Sequence, residues 1–183
     1  MLAFRNGHSA EELDRLSAHI TARVLELPEI GNARVVCTYM HIRSEVRTTA
    51  IVERLLANQK RVIIPITNTA DKTLTFSELK EPNNALQQGT FGIPEPKPEH
   101  LHPVPLQDAD VILVPGVAWD IRGYRIGYGA GYYDRTINAL GKTIQMIGLS
   151  YEFQIIDTIP NSRYDQRVNK LTTEKRTIEV NMS

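Results

Sequence analysis

The chain has 183 residues, and its 21 Lys and Arg balance 21 Asp and Glu, so the formal net charge is zero. This length predicts a single domain over residues 1–183. The charge balance argues against a nucleic-acid-coating protein, which needs excess basic residues, and against a disordered chain. The single Cys37 excludes an internal disulfide and a multi-cysteine zinc site.

Neither a membrane span nor a secretion signal is predicted. No run of about 18 apolar residues occurs, and the first residues lack the apolar core of a signal peptide. We therefore expect no membrane contact and a cytoplasmic location.

The first predicted elements are two helices with a strand between them. Ser9 and Glu12 form a capping-box pattern at the start of a helix over residues 9–27, where apolar side chains recur at helical spacing. Residues 34–40 are β-branched and apolar, which predicts a buried strand, and residues 48–58 predict a second amphipathic helix.

The rest of the chain alternates strands with a helix. Short strands are predicted at residues 62–66, 74–79, 110–114 and 143–149, a helix at residues 131–140, and an extended proline-rich loop within residues 94–105. This alternation predicts an α/β fold with a mainly parallel sheet and helices on both faces. Ligands bind such sheets beyond the carboxyl ends of the strands, here after Met40, Ile66, Val114 and Ser150.

A glycine-rich segment follows the predicted strand at residues 110–114. Four glycines fall within nine residues, at Gly123, Gly127, Gly129 and Gly131. Backbone N–H groups left uncovered by side chains can surround a phosphate chain, and a helix N-terminus follows. Arg125 and Arg135 flank the segment, and Asp134 is placed to hold Mg²⁺. The alternative is a tight loop over the edge of the core.

Two further carboxylates are candidates. Glu45 follows the first strand, where its paired oxygens could bind an amino-pyrimidine edge; alternatively it is a solvated charge paired with Arg43 or Arg47. Asp165 could complete a metal site with Asp134, or it is an ordinary turn residue.

The run from Val114 to Asp120, followed by Gly123 and by residues 125–135, resembles the 5-formyltetrahydrofolate cyclo-ligase family. The segment Ser44-Glu45-Val46 and the motif Gly92-Ile93-Pro94-Glu95-Pro96 match it as well, and the resemblance spans roughly residues 9–174.

This resemblance implies a Rossmann-like fold and the ATP- and Mg²⁺-dependent closure of 5-formyltetrahydrofolate to 5,10-methenyltetrahydrofolate, with reduced folate and ATP as partners. It assigns catalysis to Arg125 and Tyr133, and magnesium to Asp134 and Asp165. The implied ATP-binding residues are Arg125, Ile126, Gly127, Tyr128, Gly129, Ala130, Gly131, Tyr132 and Tyr133. The implied folate-binding residues are Met40, Glu45, Phe91, Gly129 and Tyr133.

Two other functions remain open. Arg5 is the sole Lys or Arg before Ser9, whereas the family begins with a longer basic segment, so one alternative is a member that binds folate or nucleotide without turnover. The other is a different phosphate-handling enzyme on a similar sheet, such as a sugar-phosphate isomerase. The oligomeric state is not predicted.

Overall fold

The structure is a computed structural model that describes residues 1–141 and 143–181, with the side chain of Asn83 left out. Its helices are α1 (Leu2–Asn6), α2 (Ala10–Leu25), α3 (Pro28–Asn32), α4 (Thr49–Ala57), α5 (Pro82–Ala85) and α6 (Tyr132–Asn138). Its strands up to the middle of the chain are β1 (Val35–Cys37), β2 (Arg61–Asn68), β3 (Thr73–Glu78), β4 (Leu86–Gln88), β5 (Pro94–Pro96) and β6 (Val111–Val114). The later strands are β7 (Ala118–Asp120), β8 (Arg125–Ile126), β9 (Gln145–Leu149), β10 (Ile155–Ile156), β11 (Lys170–Thr172) and β12 (Thr177–Glu179).

The described residues form a seven-stranded sheet in the order β12-β11-β9-β6-β1-β2-β3. Strands β2, β1, β6, β9 and β11 run parallel, while β3 and β12 are antiparallel at the two edges. The predicted α/β class with a mainly parallel sheet is therefore confirmed. The Rossmann-like part of the prediction is not established, because this order differs from the 3-2-1-4-5-6 order of the dinucleotide-binding fold.

The two faces of the sheet carry different cores. On one face, side chains of α2 and α4, such as Ile20 and Val52, pack with Val36 of β1. On the other face Ile137 of α6 packs with Cys37 and Trp119. Alternate residues of β1 thus point into opposite cores, as the pleat of a strand requires, and helices cover both faces as predicted.

The predicted helix and strand boundaries hold to within a few residues. Ser9 caps α2 by accepting a hydrogen bond from the Glu12 N–H at 3.1 Å. Helix α2 ends at Leu25, and Pro28 begins α3, because the first residue of a helix has no helical partner for its N–H and proline has no N–H to leave unpaired. Part of the predicted proline-rich loop forms β5, which pairs with β4.

Several short elements were not predicted, among them two strands near one edge of the sheet and the first helix. Strands β11 and β12 are three residues long and partly polar, so no apolar run marks them; β11 pairs with β9, and β12 pairs with β11. Helix α1 is also missing from the predictions, because its five residues carry no repeated apolar spacing. Within the part of the chain that the structure describes, no helix has the length and apolar character needed to cross a membrane.

Candidate active site

A cavity of about 610 Å³ lies at the carboxyl ends of β1 and β6. The chain leaving β1 leads to β2, which lies on one side of β1. Strand β6 lies on the other side of β1, and the chain leaving it leads toward β9, still farther from β2. The connections leaving these strands therefore diverge, which opens a crevice where ligands bind in such sheets. The described residues that line the cavity include most of the predicted site: Met40, Glu45, Phe91, Arg125, Gly127, Tyr128, Gly129, Ala130, Gly131, Tyr132, Tyr133, Asp134 and Asp165.

Two predicted or suggested contacts lie elsewhere. Ile126 pairs with Ala118 in the β7–β8 hairpin and its side chain is exposed, so it lies beside the cavity and does not line it. The Arg135 guanidinium donates to the carbonyl oxygens of Lys72 and Ala130. Arg135 therefore tethers the glycine-rich segment to the turn before β3, and it is absent from the described cavity lining.

The buried carboxylate of Asp120 holds the start of the glycine-rich segment. Its oxygens accept hydrogen bonds from the backbone N–H groups of Arg122, Tyr124 and Ile159, and from the Arg122 guanidinium at 2.6 Å. Burial opposes ionisation of Asp120, but these bonds from Ile159, Arg122 and Tyr124 win and lower its pKa. The β7–β8 hairpin is thereby fixed in the orientation that carries the segment toward the cavity.

Arg125 and Asp134 form an ion pair in the cavity wall. The Arg125 Nη2 donates to Asp134 Oδ1 at 2.9 Å, and its Nη1 donates to the Gln166 carbonyl at 3.1 Å. The Arg125 side chain is 5% exposed. Arg125, predicted to contact ATP, is thus paired with Asp134, predicted to bind magnesium. A positive and a negative group therefore lie side by side in one wall of the cavity.

The two predicted magnesium ligands can be tested against the chemistry of the ion. Asp134 uses Oδ1 for Arg125 and for the Gln166 N–H, and Asp165 uses Oδ2 for the Ser162 N–H at 2.6 Å. Among the described residues, no three metal-ligating side chains come together. Mg²⁺ is nevertheless usually held by one or two carboxylates, substrate phosphates and water. Asp134 and Asp165 fit that pattern, and a three-carboxylate cage is not needed.

Glu45 lies in the cavity wall beyond β1, not in solvent. Its side chain is 6% exposed, and its Oε2 accepts from the Ile42 N–H at 3.0 Å. Burial raises the pKa of Glu45, an effect that the Ile42 bond, the charge of Arg5 and a hydrogen bond with Tyr128 partly offset. The alternative of a solvated loop charge is wrong for the geometry, although Arg43 also lies near enough to act on the carboxylate.

Arg5 is a site residue that the sequence interpretation did not assign. It is 1% exposed, and its guanidinium donates to Ser44 Oγ at 3.0 Å, to the Gly116 carbonyl at 3.1 Å and to the Tyr128 hydroxyl at 2.8 Å. It thus joins α1 to the loops that follow β1 and β6 and to the glycine-rich segment. The available signal was its position as the sole Lys or Arg before the cap of α2.

The aromatic side chains of the cavity differ in role. Burial raises the pKa of Tyr133 well above its ordinary value. Its protonated hydroxyl can donate a hydrogen bond, and the Arg125 guanidinium lies 5.8 Å from the centroid of its ring. Phe91 is 63% exposed, and its ring meets Tyr132 edge-on with centroids 6.4 Å apart. Burial also raises the pKa of the Cys37 thiol, which lies in the core and not among the described cavity-lining residues.

A model of the 5-formyltetrahydrofolate cyclo-ligase family matches residues 1–174. The 5-formyltetrahydrofolate cyclo-ligase of Mycolicibacterium smegmatis is 35% identical over 149 residues, covering 80% of this chain and 77% of the relative. That of Haemophilus influenzae is 31% identical over 159 residues, covering 86% and 82%.

The likeness extends to three dimensions. The NMR structure of Aquifex aeolicus 5,10-methenyltetrahydrofolate synthetase matches with a TM-score of 0.85 and 33% sequence identity, over 100% of this chain and 90% of that chain. The predicted family resemblance and enzyme class are confirmed by these matches. The chain therefore belongs to the 5-formyltetrahydrofolate cyclo-ligase family, a family of ligases.

Proposed function

We propose that the protein converts 5-formyltetrahydrofolate to 5,10-methenyltetrahydrofolate, using Mg²⁺·ATP and releasing ADP and phosphate. One observation carries the proposal: the Glu45 loop after β1 and the glycine-rich segment after β6 meet at one cavity in a chain of this family. A carboxylate suited to a pterin and a segment suited to phosphates thus face the same space.

The reaction requires that a poor electrophile be activated. The formyl oxygen attacks the γ-phosphorus of ATP, a P–O bond forms, and the bond to the β-phosphate oxygen breaks to release ADP. N10 of the folate then attacks the formyl carbon and loses its proton. The C–O bond breaks as phosphate leaves, and the methenyl ring is complete.

The residues of this chain would position the reactants and balance charge, which is the main task of a protein in phosphoryl transfer. The backbone N–H groups of residues 127–131 and the Arg125 guanidinium would hold the phosphates. The Tyr133 hydroxyl, which is protonated at neutral pH as in tyrosine generally, would donate to an oxygen that gains negative charge. Asp134 and Asp165 would hold Mg²⁺, whose contribution is to neutralise phosphate charge.

The folate would lie against the other wall of the cavity. A pterin presents neighbouring N–H donors, which match the two oxygens of the Glu45 carboxylate. Met40, buried beside it, and the exposed ring of Phe91 would supply apolar contacts. Arg5 favours the charged form of Glu45, which is the form with two acceptors.

A direct test is to mix the protein with 5-formyltetrahydrofolate, ATP and Mg²⁺ and to follow the absorbance of the methenyl product. We expect product only when all three are present, and reduced use of Mg²⁺·ATP by Asp134→Asn at limiting Mg²⁺. Folate binding without any product would contradict turnover and favour the binding-only alternative. Turnover of a phosphorylated substrate without ATP would favour an isomerase.

A further inference from the structure

Phe91 has an unusual backbone conformation for its residue type. It lies in the turn between β4 and β5 with φ +57° and ψ +16°, and Gly92 follows with φ +81°. A non-glycine residue in this left-handed region costs roughly 1 kcal/mol and persists only where its surroundings determine it. The side chain is nevertheless exposed and lines the cavity, so core packing does not explain the conformation.

Glu95 supplies the surroundings that hold this turn. Its Oε1 accepts from the Thr67 N–H at 3.0 Å, and its Oε2 accepts from the Thr90 N–H at 3.4 Å. Strand β1 accompanies β2 only as far as Ile63, so it offers no partner to Thr67 farther along β2. Glu95 takes that place and connects the turn to the end of β2.

The turn is built around this carboxylate. A Cβ atom added to Gly89 would lie 2.3 Å from Glu95 Oε2, so the carboxylate lies directly against the Gly89 backbone. Gly89 donates to the Ile93 carbonyl at 2.8 Å, and Gly92 donates to the Gly89 carbonyl at 3.1 Å. These bonds close the turn at the point where Glu95 contacts it.

The turn determines where one aromatic ring of the cavity lies. Phe91 and Tyr132 both line the cavity, and their rings are 66° apart in orientation. Tyr132 is the first residue of α6, directly after the glycine-rich segment, whereas the position of Phe91 depends on the turn. A displaced turn would therefore change the spacing of the two rings while leaving the phosphate-facing segment in place.

We propose that Glu95 is a positioning residue that holds Phe91 against the planar pyrimidine ring of the reduced pterin and so determines folate affinity, not ATP affinity. This inference rests on the proposed function of the same cavity. Glu95 is not among the described residues that line the cavity, and it acts through its bonds to Thr67 and Thr90.

The test compares Glu95→Ala, Phe91→Ala and the double variant, with Glu99→Ala as a control on an exposed carboxylate of the same segment. We expect each single change to raise the KM for 5-formyltetrahydrofolate about tenfold, the scale of losing one stacked ring. The KM for ATP should stay unchanged, and the double variant should equal Phe91→Ala. Glu95→Gln should recover part of the affinity, because its amide oxygen can still accept from Thr67.

The proposal would be overturned if the two single increases in the KM for 5-formyltetrahydrofolate multiplied in the double variant. It would also be overturned if Glu95→Ala raised the KM for ATP as much as the KM for 5-formyltetrahydrofolate. If urea titration shows that Glu95→Ala has no folded state, Glu95→Gln replaces it in the comparison with Phe91→Ala. Calorimetric titration with 5-formyltetrahydrofolate alone separates this test from the proposed function. A parent protein that binds folate without turnover, and loses affinity in the Glu95 variants, would contradict only the proposed reaction. A parent that binds no folate would overturn both.

Discussion

At the residue scale, two opposite charges lie where water is scarce, Glu45 in the cavity wall and Arg5 bonded to the wall residues Gly116 and Tyr128. Glu45 and Arg5 are both nearly inaccessible, and each acts on the other electrostatically. Charges removed from water lose hydration, and hydrogen bonds must replace it. Ile42 supplies such a bond to Glu45, whereas Ser44, Gly116 and Tyr128 accept those of Arg5.

The raised pKa of Glu45 predicts a pH-dependent stability. The folded state holds the proton of Glu45 more tightly than the unfolded chain does, so Glu45 contributes less stability as pH rises above the ordinary value of 4.5. The free energy of unfolding of Glu45→Gln, measured in urea relative to that of the parent, should therefore increase as pH rises. The exposed-site variant Glu53→Gln should show no such trend, and a trend of opposite sign would contradict the assignment.

Arg5 predicts a large loss of stability on truncation. Arg5→Met removes three donors and leaves Glu45 without its buried positive neighbour, so we expect the free energy of unfolding to fall by about 3 kcal/mol. Arg15→Met, at an exposed position on α2, should change it by less than about 0.5 kcal/mol. Equal effects in urea titrations would show that Arg5 is not a structural link.

At the element scale, the β7–β8 hairpin depends on one carboxylate. Asp120→Asn places an amide N–H₂ among backbone and guanidinium donors, which should lower the free energy of unfolding by about 3 kcal/mol. Because the pKa of Asp120 is lowered, its contribution exists above the ordinary value of 3.8 and is lost as pH falls. The difference in the free energy of unfolding between the parent and Asp120→Asn should therefore become smaller in acid. Asp157→Asn, exposed in the neighbouring loop, should match the parent.

Gly129 in the glycine-rich segment and Gly141 beyond α6 allow the effect of backbone strain to be measured apart from the effect of ligand contact. Gly129 and Gly141 both have positive φ, and a Cβ on either meets nothing within 4 Å. An alanine at each position should cost about 1 kcal/mol of stability. Only Gly129 lines the cavity, so only Gly129→Ala should raise the KM for ATP. The measurement is ATP kinetics beside thermal unfolding, and an equal KM change in Gly141→Ala would contradict the phosphate role.

At the scale of the whole molecule, both proposed ligands share one crevice. At about one hundred times its Kd, a ligand adds about 2.7 kcal/mol of stability, which for a chain of this size raises Tm by about 5–10 °C. We expect a non-hydrolysable ATP analogue with Mg²⁺, and 5-formyltetrahydrofolate, each to raise Tm in a thermal-shift assay, and the two together to raise it further. A combined shift no greater than the larger single shift would show that they compete for the same space.

Local patterns account for what could be predicted. The Ser9 cap, the apolar run at Val111–Val114 and the glycine spacing of residues 123–131 each act over a few neighbouring residues, so they are legible in the sequence. The family motif is equally local, and it identified most of the cavity lining. Strands β11 and β12 escaped prediction because their pairing partners, not their own residues, define them.

The sequence by itself therefore determined the α/β class, the family and the segment suited to phosphate. Only the tertiary structure decided that Arg5 lies between Ser44 and Tyr128, and that Glu95 reaches Thr67. These contacts join residues separated by tens of positions, across connections that pass from one strand to another. Periodicity and spacing report on neighbours along the chain, whereas the diverging connections after β1 and β6 determine which distant loops meet.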